Sequence, residues 1–208
     1  MNQLTDRSEV SIHLLMPRAT VQPKGHRDRL LPVVAAAFAE LGYRRATTAE
    51  LARRCGVREN VLYRVWPSKK DMFLAAIDYV SESSLDIWLK LLAKGGKEPP
   101  AQRVLEYEAV HHGESGLYRI VFAGLSETDD PQIREALRRM YGRFHRFIVE
   151  QLGGPGAKAG ADSNMAAWAL VGVGTVSNIS RELGLMDDRQ RQSLFRGVGQ
   201  LLLETNRK

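Results

Sequence analysis

TTAELARRCGVRENVLYRVWPSKK, residues 47–70, is the stretch on which the fold turns. Thr47 and Glu50 stand in the spacing of a capping box, where a hydroxyl at the N-cap receives the amide three residues on, so a helix opens here. Gly56 breaks it after Cys55, because a chain leaving a helix with positive φ strongly favours glycine. A third short helix runs from about Arg58 to Trp66 and is stopped by Pro67. Ser68 and Asp71 make a second capping box for a longer helix through Met72, Leu74 and Ile77. Two short helices joined by a glycine turn form a helix-turn-helix, with Val57 and Leu62 filling the angle and Ala52 small enough to allow close approach.

Upstream, Leu30, Leu31, Val34, Ala37, Phe38 and Leu41 recur at three- and four-residue steps, which predicts a first helix from Arg27 that Gly42 caps in the left-handed conformation. Residues 1–23 hold Pro17 and Pro23 with no sustained period and are expected to form a flexible arm. Lys24, Arg27 and Arg29 at its end either stay in solvent or reach an adjacent minor groove. Downstream, glycine and proline breaks at 95–100, 129–131 and 153–156 separate helical patterns near 101–112, 116–127, 131–152, 163–183 and 188–204. The expected fold is all-α, with about nine helices. It consists of an N-terminal three-helix helix-turn-helix unit over 24–70 and a larger helical domain over 71–208.

The 208 residues carry 30 Lys and Arg against 24 Asp and Glu, a formal charge of +6. Its distribution is uneven: residues 1–23 are neutral, 24–70 carry 11 bases and 4 acids, and 71–208 carry 17 bases and 18 acids. The +7 module is what a surface facing a polyanion requires, although charge alone also describes a solvated basic face. One cysteine excludes an internal disulfide framework, suits a reducing cytoplasm, and at position 55 reads as packing. No apolar run approaches a membrane span.

On the third helix, Glu59, Asn60, Tyr63 and Arg64 fall on the side away from Leu62 and Trp66. Such a face can read a major groove, with Asn for adenine, Arg for guanine and the Val61 methyls against a thymine methyl. Lys69 and Lys70 lie in the first helical turn, where cations oppose the macrodipole by roughly 0.3–1 kcal/mol. Either both point into solvent or a phosphate arrives there.

Residues 27–77 resemble the DNA-binding domain of the TetR family of transcriptional regulators. The resemblance runs through Gly42-Tyr43, Thr47, Leu51-Ala52, Gly56-Val57, Leu62-Tyr63 and Trp66-Pro67-Ser68-Lys69. It implies that Thr47, Tyr63 and Lys69 contact phosphates and that positions Arg58 to Arg64 read bases. The candidate DNA contacts are therefore Thr47, Thr48, Arg58, Glu59, Asn60, Val61, Tyr63, Arg64 and Lys69. The chain departs from the family at Arg58, where a capping Ser or Thr is usual, at Asn60, where a small residue is usual, and at Val65-Trp66, which replace an aromatic pair. The resemblance further implies a C-terminal dimerisation surface and an effector pocket.

Residues of the C-terminal part give these expectations candidates. Trp88, Tyr107, His111, Tyr118, Phe122, Tyr141, Phe144 and Trp168 lie on helices able to surround a cavity, and the alternative for each is plain core. Gly172, Gly174, Gly197 and Gly199 each cost about 1 kcal/mol inside a helix, which signals close helix approach within one chain or between two. The candidate dimer interface is Trp168, Gly172, Val176, Leu194, Phe195, Val198, Leu201 and Leu202. Glu108 and His112, four apart beside His111 and Glu114, could begin a metal site, but further ligands at diagnostic spacing are missing, so no metal and no cofactor is expected. The leading expectation is a non-enzymatic cytoplasmic homodimer that binds a palindromic double-stranded operator and is a repressor released by a small-molecule effector, with no membrane partner. A helical enzyme, metal-dependent or acting on a small molecule through Glu108/His112, and a helical adaptor that no longer binds DNA, are the alternatives.

Overall fold

The computed structural model describes residues 24–153 and 161–205; the expected arm, 1–23, lies outside them. Every regular element among the described residues is a helix, and there are nine: α1 Lys24–Arg45, α2 Thr48–Arg54, α3 Glu59–Val65, α4 Lys69–Ala93, α5 Pro100–His111, α6 Tyr118–Leu125, α7 Pro131–Gly153, α8 Ala161–Leu183 and α9 Asp188–Thr205. None of these is long and apolar enough to cross a membrane.

The apolar stripe of α1 is buried from Leu30 to Phe38. Gly42 does take a positive φ of 72°, but its ψ of 169° lies outside the left-handed helical well. The chain is therefore redirected and winds one further turn to Arg45, where a left-handed cap would have ended the helix. At the end of α2, Gly56 (φ 65°) donates to the Arg53 carbonyl at 3.1 Å and Val57 to the Ala52 carbonyl at 3.0 Å. That pair of bonds is a Schellman motif, and it aims α3 across α2. α3 stops at Trp66 (φ −132°, ψ 120°) because the residue before Pro67 is held out of the helical region. Ser68 then accepts from the Asp71 amide at 3.1 Å and donates to its carboxylate at 2.6 Å, starting α4.

One apolar core runs from Leu30 through Leu51, Leu62 and Trp66 into Met72, Phe73 and Ile77 of α4, and on to Ile120 of α6 and Ile133, Leu137 and Met140 of α7. Phe38, Tyr43 and Phe73 are its aromatic centre, with ring centroids 5.0 Å (Phe38–Phe73) and 4.7 Å (Tyr43–Phe73) apart. The Cys55 thiol is half-buried at 4.0 Å from the Leu30 carbonyl, and burial raises its pKa, as a packing role requires. Two smaller clusters follow. Trp88, Val104 and Phe147 join α4, α5 and α7, and Leu105, Ala109, Val173 and Phe195 join α5, α8 and α9. In the middle of α4 the hydroxyls of Ser81, Ser83 and Ser84 donate back to the carbonyls of Asp78, Tyr79 and Val80.

Candidate functional site

α3 is seated by Leu62 and Trp66, both buried, and turns Glu59, Asn60, Tyr63 and Arg64 outward, as the helical spacing predicts. Val61 is a different case: it is half-buried and packed against the core, so its methyls are only partly available. Arg58 occupies the N-cap of α3 without a side-chain cap bond. The start of the helix is braced instead from α2, where Thr48 Oγ1 donates to Glu59 Oε2 at 2.7 Å and Tyr63 Oη donates to Thr48 Oγ1 at 3.3 Å. The single Tyr63 proton is thus directed inward in the free protein. Thr47 caps α2 by accepting from the Glu50 amide at 3.2 Å. The reciprocal half of that capping box is replaced, because the Glu50 carboxylate receives Arg53 at 2.7 Å and Arg54 at 2.8 Å. Those guanidiniums, Arg53 first, hold the Glu50 carboxyl down at about 2.

The two lysines of α4 do not simply point into solvent. Lys69 Nζ donates to the Tyr43 carbonyl at 3.0 Å and lies 4.6 Å from the Tyr43 ring centroid. Lys70 pairs with Asp130 at 3.1 Å, and that bond holds the Asp130 carboxyl below its usual range. The partners, 26 and 60 residues away, carry no local signal in the sequence. Glu40 and Glu50, already counted within the +7, pair with Arg53 and Arg54, while Glu127 and Asp130 from outside the module pair with Arg44 and Lys70, so most of the excess charge is left for a partner.

Behind this face, α4 to α8 and Phe195 of α9 enclose a cavity of about 340 Å³. Trp88, Tyr107, His111, Tyr118, Phe122, Tyr141 and Phe144 line it, as their positions suggested. Trp168 does not; it is 48% exposed and stacks on His145 at 4.6 Å on the outer side of α8. The aromatic pattern missed a polar wall. Trp88 Nε1 donates to Glu108 Oε1 at 2.6 Å, His112 Nδ1 meets Glu108 Oε2 at 2.6 Å, and His112 Nε2 meets the Gly174 carbonyl at 2.9 Å. A carbonyl only accepts, so Nε2 carries a hydrogen, and the other contact needs a proton shared between Nδ1 and the carboxylate. Phe195 tilts against the same imidazole at 4.7 Å. The Glu108–His112 spacing that could have begun a metal site is therefore spent on joining α4, α5 and α8. Among the described residues no three His, Cys, Asp or Glu side chains converge on a metal position. Burial, and then the Glu182 carboxylate that receives its hydroxyl at 2.8 Å, raises the Tyr118 pKa.

The expected interface residues divide. Phe195 is only 5% exposed, and Leu194 and Val198 pack with it against Leu105 and Val173 of the same chain. The apolar face of α9 is thus covered from within, by α5 and α8. Trp168, Gly172 and Val176 of α8 are exposed, as is Leu201 of α9, and Leu202 is half-buried. Met165, Ile179 and Leu183 extend the exposed α8 stripe. The glycines divide the same way. A Cβ on Gly174 would lie 3.0 Å from the His112 ring and one on Gly199 under 3.0 Å from Leu105, whereas at Gly172 and Gly197 nothing lies within 4 Å.

Residues 33–76, from α1 into α4, match the family model of the bacterial regulatory proteins of the tetR family. The nucleoid occlusion factor SlmA of Enterobacter sp. (strain 638) is 33% identical over 137 residues, spanning 62% of this chain and 69% of that protein. The SlmA of Idiomarina loihiensis is 39% identical over 149 residues, 62% of this chain and 76% of its own length. Among solved structures, a TetR-family transcriptional regulator from Streptomyces coelicolor superposes with a TM-score of 0.69 at 19% identity, covering 88% of this chain and 96% of that one. A TetR-family regulator from Agrobacterium tumefaciens gives 0.63 at 14% identity, covering 88% and 98%. With its helix-turn-helix, its family-model match and its similarity to relatives over two thirds of their length, the chain belongs to the TetR family of DNA-binding transcriptional regulators.

Proposed function

We propose that this regulator is a homodimeric repressor which reads a two-fold symmetric operator and is released when a small molecule enters the α4–α8 cavity. In this reading residues 24–70 are the reading unit and 71–208 the sensing and pairing unit. The observation that supports it most is the outward face of Glu59, Asn60, Tyr63 and Arg64, anchored on a core that continues along α4 to the cavity wall. Arg58, Glu59, Asn60, Arg64 and, partially, Val61 contact bases. Thr47 and Tyr63 through their hydroxyls and Thr48 through its backbone amide at the start of α2 set the phosphate register, Tyr63 turning its proton outward on binding. Lys69, with one of its three donors on Tyr43, keeps the others for a phosphate. Trp168, Gly172, Val176, Leu201 and Leu202, extended by Met165, Ile179 and Leu183, pair with a second copy, because an exposed apolar stripe of this length is costly in water. Two reading helices about 34 Å apart then address successive major grooves. A ligand shifts DNA affinity only as far as its preference for one arrangement of the two units allows.

Anisotropy titration of fluorescent duplexes, chosen by genomic footprinting, tests the DNA half of this reading. At about 150 mM salt the wild type binds its site at least a hundredfold tighter than a scrambled duplex. Arg64→Ala and Asn60→Ala lose most of that ratio with unchanged melting temperature. Equal affinity for site and scramble would remove the reading. The SlmA relatives favour a second reading, a role in nucleoid occlusion, since the identity to one of them extends over 149 residues, past the helix-turn-helix. Mapping of bound sites separates the two: a regulator occupies sites beside promoters, and an occlusion factor is distributed through the nucleoid.

A further inference from the structure

The carboxylate of Glu59 sits in an unexpected place. It is exposed at the first residue of the reading helix, on a module whose net charge is +7 and whose proposed partner is a polyanion. An acid here weakens every non-specific approach to phosphate, so its presence calls for a compensating contact. It is also held in place. Thr48, from the neighbouring helix, donates to Oε2 at 2.7 Å, and Tyr63 donates to Thr48 at 3.3 Å. All the protons of this chain run toward Glu59. Oε2 is fixed and Oε1 is left as the acceptor at the end of the array.

We propose that Glu59 is a specificity-determining residue that accepts a hydrogen bond from the exocyclic amino group of a cytosine in the major groove, with Thr48 as its positioning residue and Tyr63 restraining Thr48 until DNA arrives. The inference rests on the reading of α3 as the DNA-contacting helix. Base chemistry selects cytosine. A carboxylate only accepts, and cytosine presents an amino donor with no acceptor of its own on that edge. Adenine also presents an amino group, but its N7 acceptor lies alongside and repels the second carboxylate oxygen. Guanine and thymine offer acceptors to an acceptor. Glu59 thus excludes three bases by repulsion as well as choosing one by attraction. The ordered array lowers the cost of choosing, because the side chain is already restrained before DNA arrives.

Selection of duplexes from a randomised pool by the full-length protein, with sequencing of the bound fraction, tests this. The wild type should enrich a cytosine at one symmetric position of each half-site, and replacing that cytosine in an isolated duplex should weaken binding about tenfold. Glu59→Gln should move the preference at that one position toward adenine, which glutamine matches at N6 and N7, and leave the other positions unchanged. Glu59→Ala should flatten the position to less than about twofold discrimination while tightening binding to scrambled duplex. Thr48→Val should reduce discrimination there without altering the preferred base. The same cytosine enriched by wild type, Glu59→Gln and Glu59→Ala, or no cytosine in the wild-type motif, overturns the assignment while sequence-specific binding by α3 stands. No enriched motif at all takes down both. Since Glu59 is exposed and α3 is held by Leu62 and Trp66, melting temperatures of the three variants provide the control for folding.

Discussion

Alanine at Gly199 would place a Cβ under 3.0 Å from Cγ, Cδ1 and Cδ2 of Leu105, so the whole leucine side chain must move and not merely its tip. Leu105 is buried among Ala109, Val173 and Phe195 and has little room to give. Overpacking costs about 1–3 kcal/mol, and with three side-chain atoms of Leu105 under 3.0 Å the upper part of that range, about 2–3 kcal/mol, applies here, while replacing glycine within a helix returns about 1 kcal/mol. The net loss expected for Gly199→Ala is about 1–2 kcal/mol, or about 3–6 °C in melting temperature for a chain of this size. At Gly172 and Gly197 a Cβ meets nothing within 4 Å, so in an isolated protomer alanine there should stabilise by about 1 kcal/mol. If these two glycines face a second copy, the added methyls instead separate the paired helices, and dimer dissociation should strengthen at least tenfold. Circular-dichroism melts at several protein concentrations, beside sedimentation velocity, resolve the two effects, because a dimer's apparent stability depends on concentration and a protomer's does not. Gly172→Ala and Gly197→Ala proteins that remain dimeric on dilution would refute the placement of the interface. A neutral Gly199→Ala would refute the covering of α9 by α5.

Glu50, held at about 2 by Arg53 and Arg54, stabilises the fold when ionised. Its contribution is complete above the ordinary carboxyl value of 4.5 and is lost as pH falls through about 2. Acid unfolding of Glu50→Gln, followed by fluorescence, should therefore be flatter across that window; an unchanged slope would contradict the pairing. Lys69→Met keeps the aliphatic stem but removes the bond to the Tyr43 carbonyl and the charge over its ring, and should cost about 2 kcal/mol in urea unfolding. The same variant should lower the salt slope of operator binding by about one ion, and a stability loss with no change in slope would confine Lys69 to a structural role. Trp88→Phe leaves Glu108 Oε1 without its indole donor and should destabilise by about 1–2 kcal/mol; an unaffected melting temperature would mean that the polar wall contributes nothing.

The helix-turn-helix was legible because its punctuation is local. Thr47, Gly56, Pro67 and Ser68 act on backbone within one to five residues of themselves, so spacing alone exposes them. The exposed face of α3 follows from helical period once Leu62 and Trp66 are assigned to the core. Lys69 and Lys70 were not legible, because what decides their direction is a carbonyl 26 residues away and a carboxylate 60 residues away. Period also showed that α9 has an apolar face without showing what covers it: Phe195 and Val198 serve α5 and α8 of their own chain, while Leu201 is 64% exposed. At Gly42 the positive φ was readable from residue type, but the ψ of 169°, after which the chain delivers Ala46 into the core, was not. The cavity's aromatic residues were recognisable as a set. Its Trp88–Glu108–His112–Gly174 wall was not, since it is assembled from three helices.

The three serines of α4 bear on how motion passes through the molecule. Val80, just before them, belongs to the core shared with the reading helices, and Trp88, just after, belongs to the cavity cluster. Between these two anchored halves, Ser81, Ser83 and Ser84 draw on the carbonyls that hold the helix together, which loosens and bends a helix locally. The helix is thus anchored on both sides of a junction at which its own carbonyls are shared with side chains and to which Arg143 of α7 is bonded. The 15 residues from Lys69 to Ser83 span about 22 Å, so a bend of about 5° at the serines swings the start of α4 sideways by about 2 Å. That displacement is comparable to a hydrogen-bond length, enough to shift the contacts of the helix-turn-helix without any part of the protein unfolding.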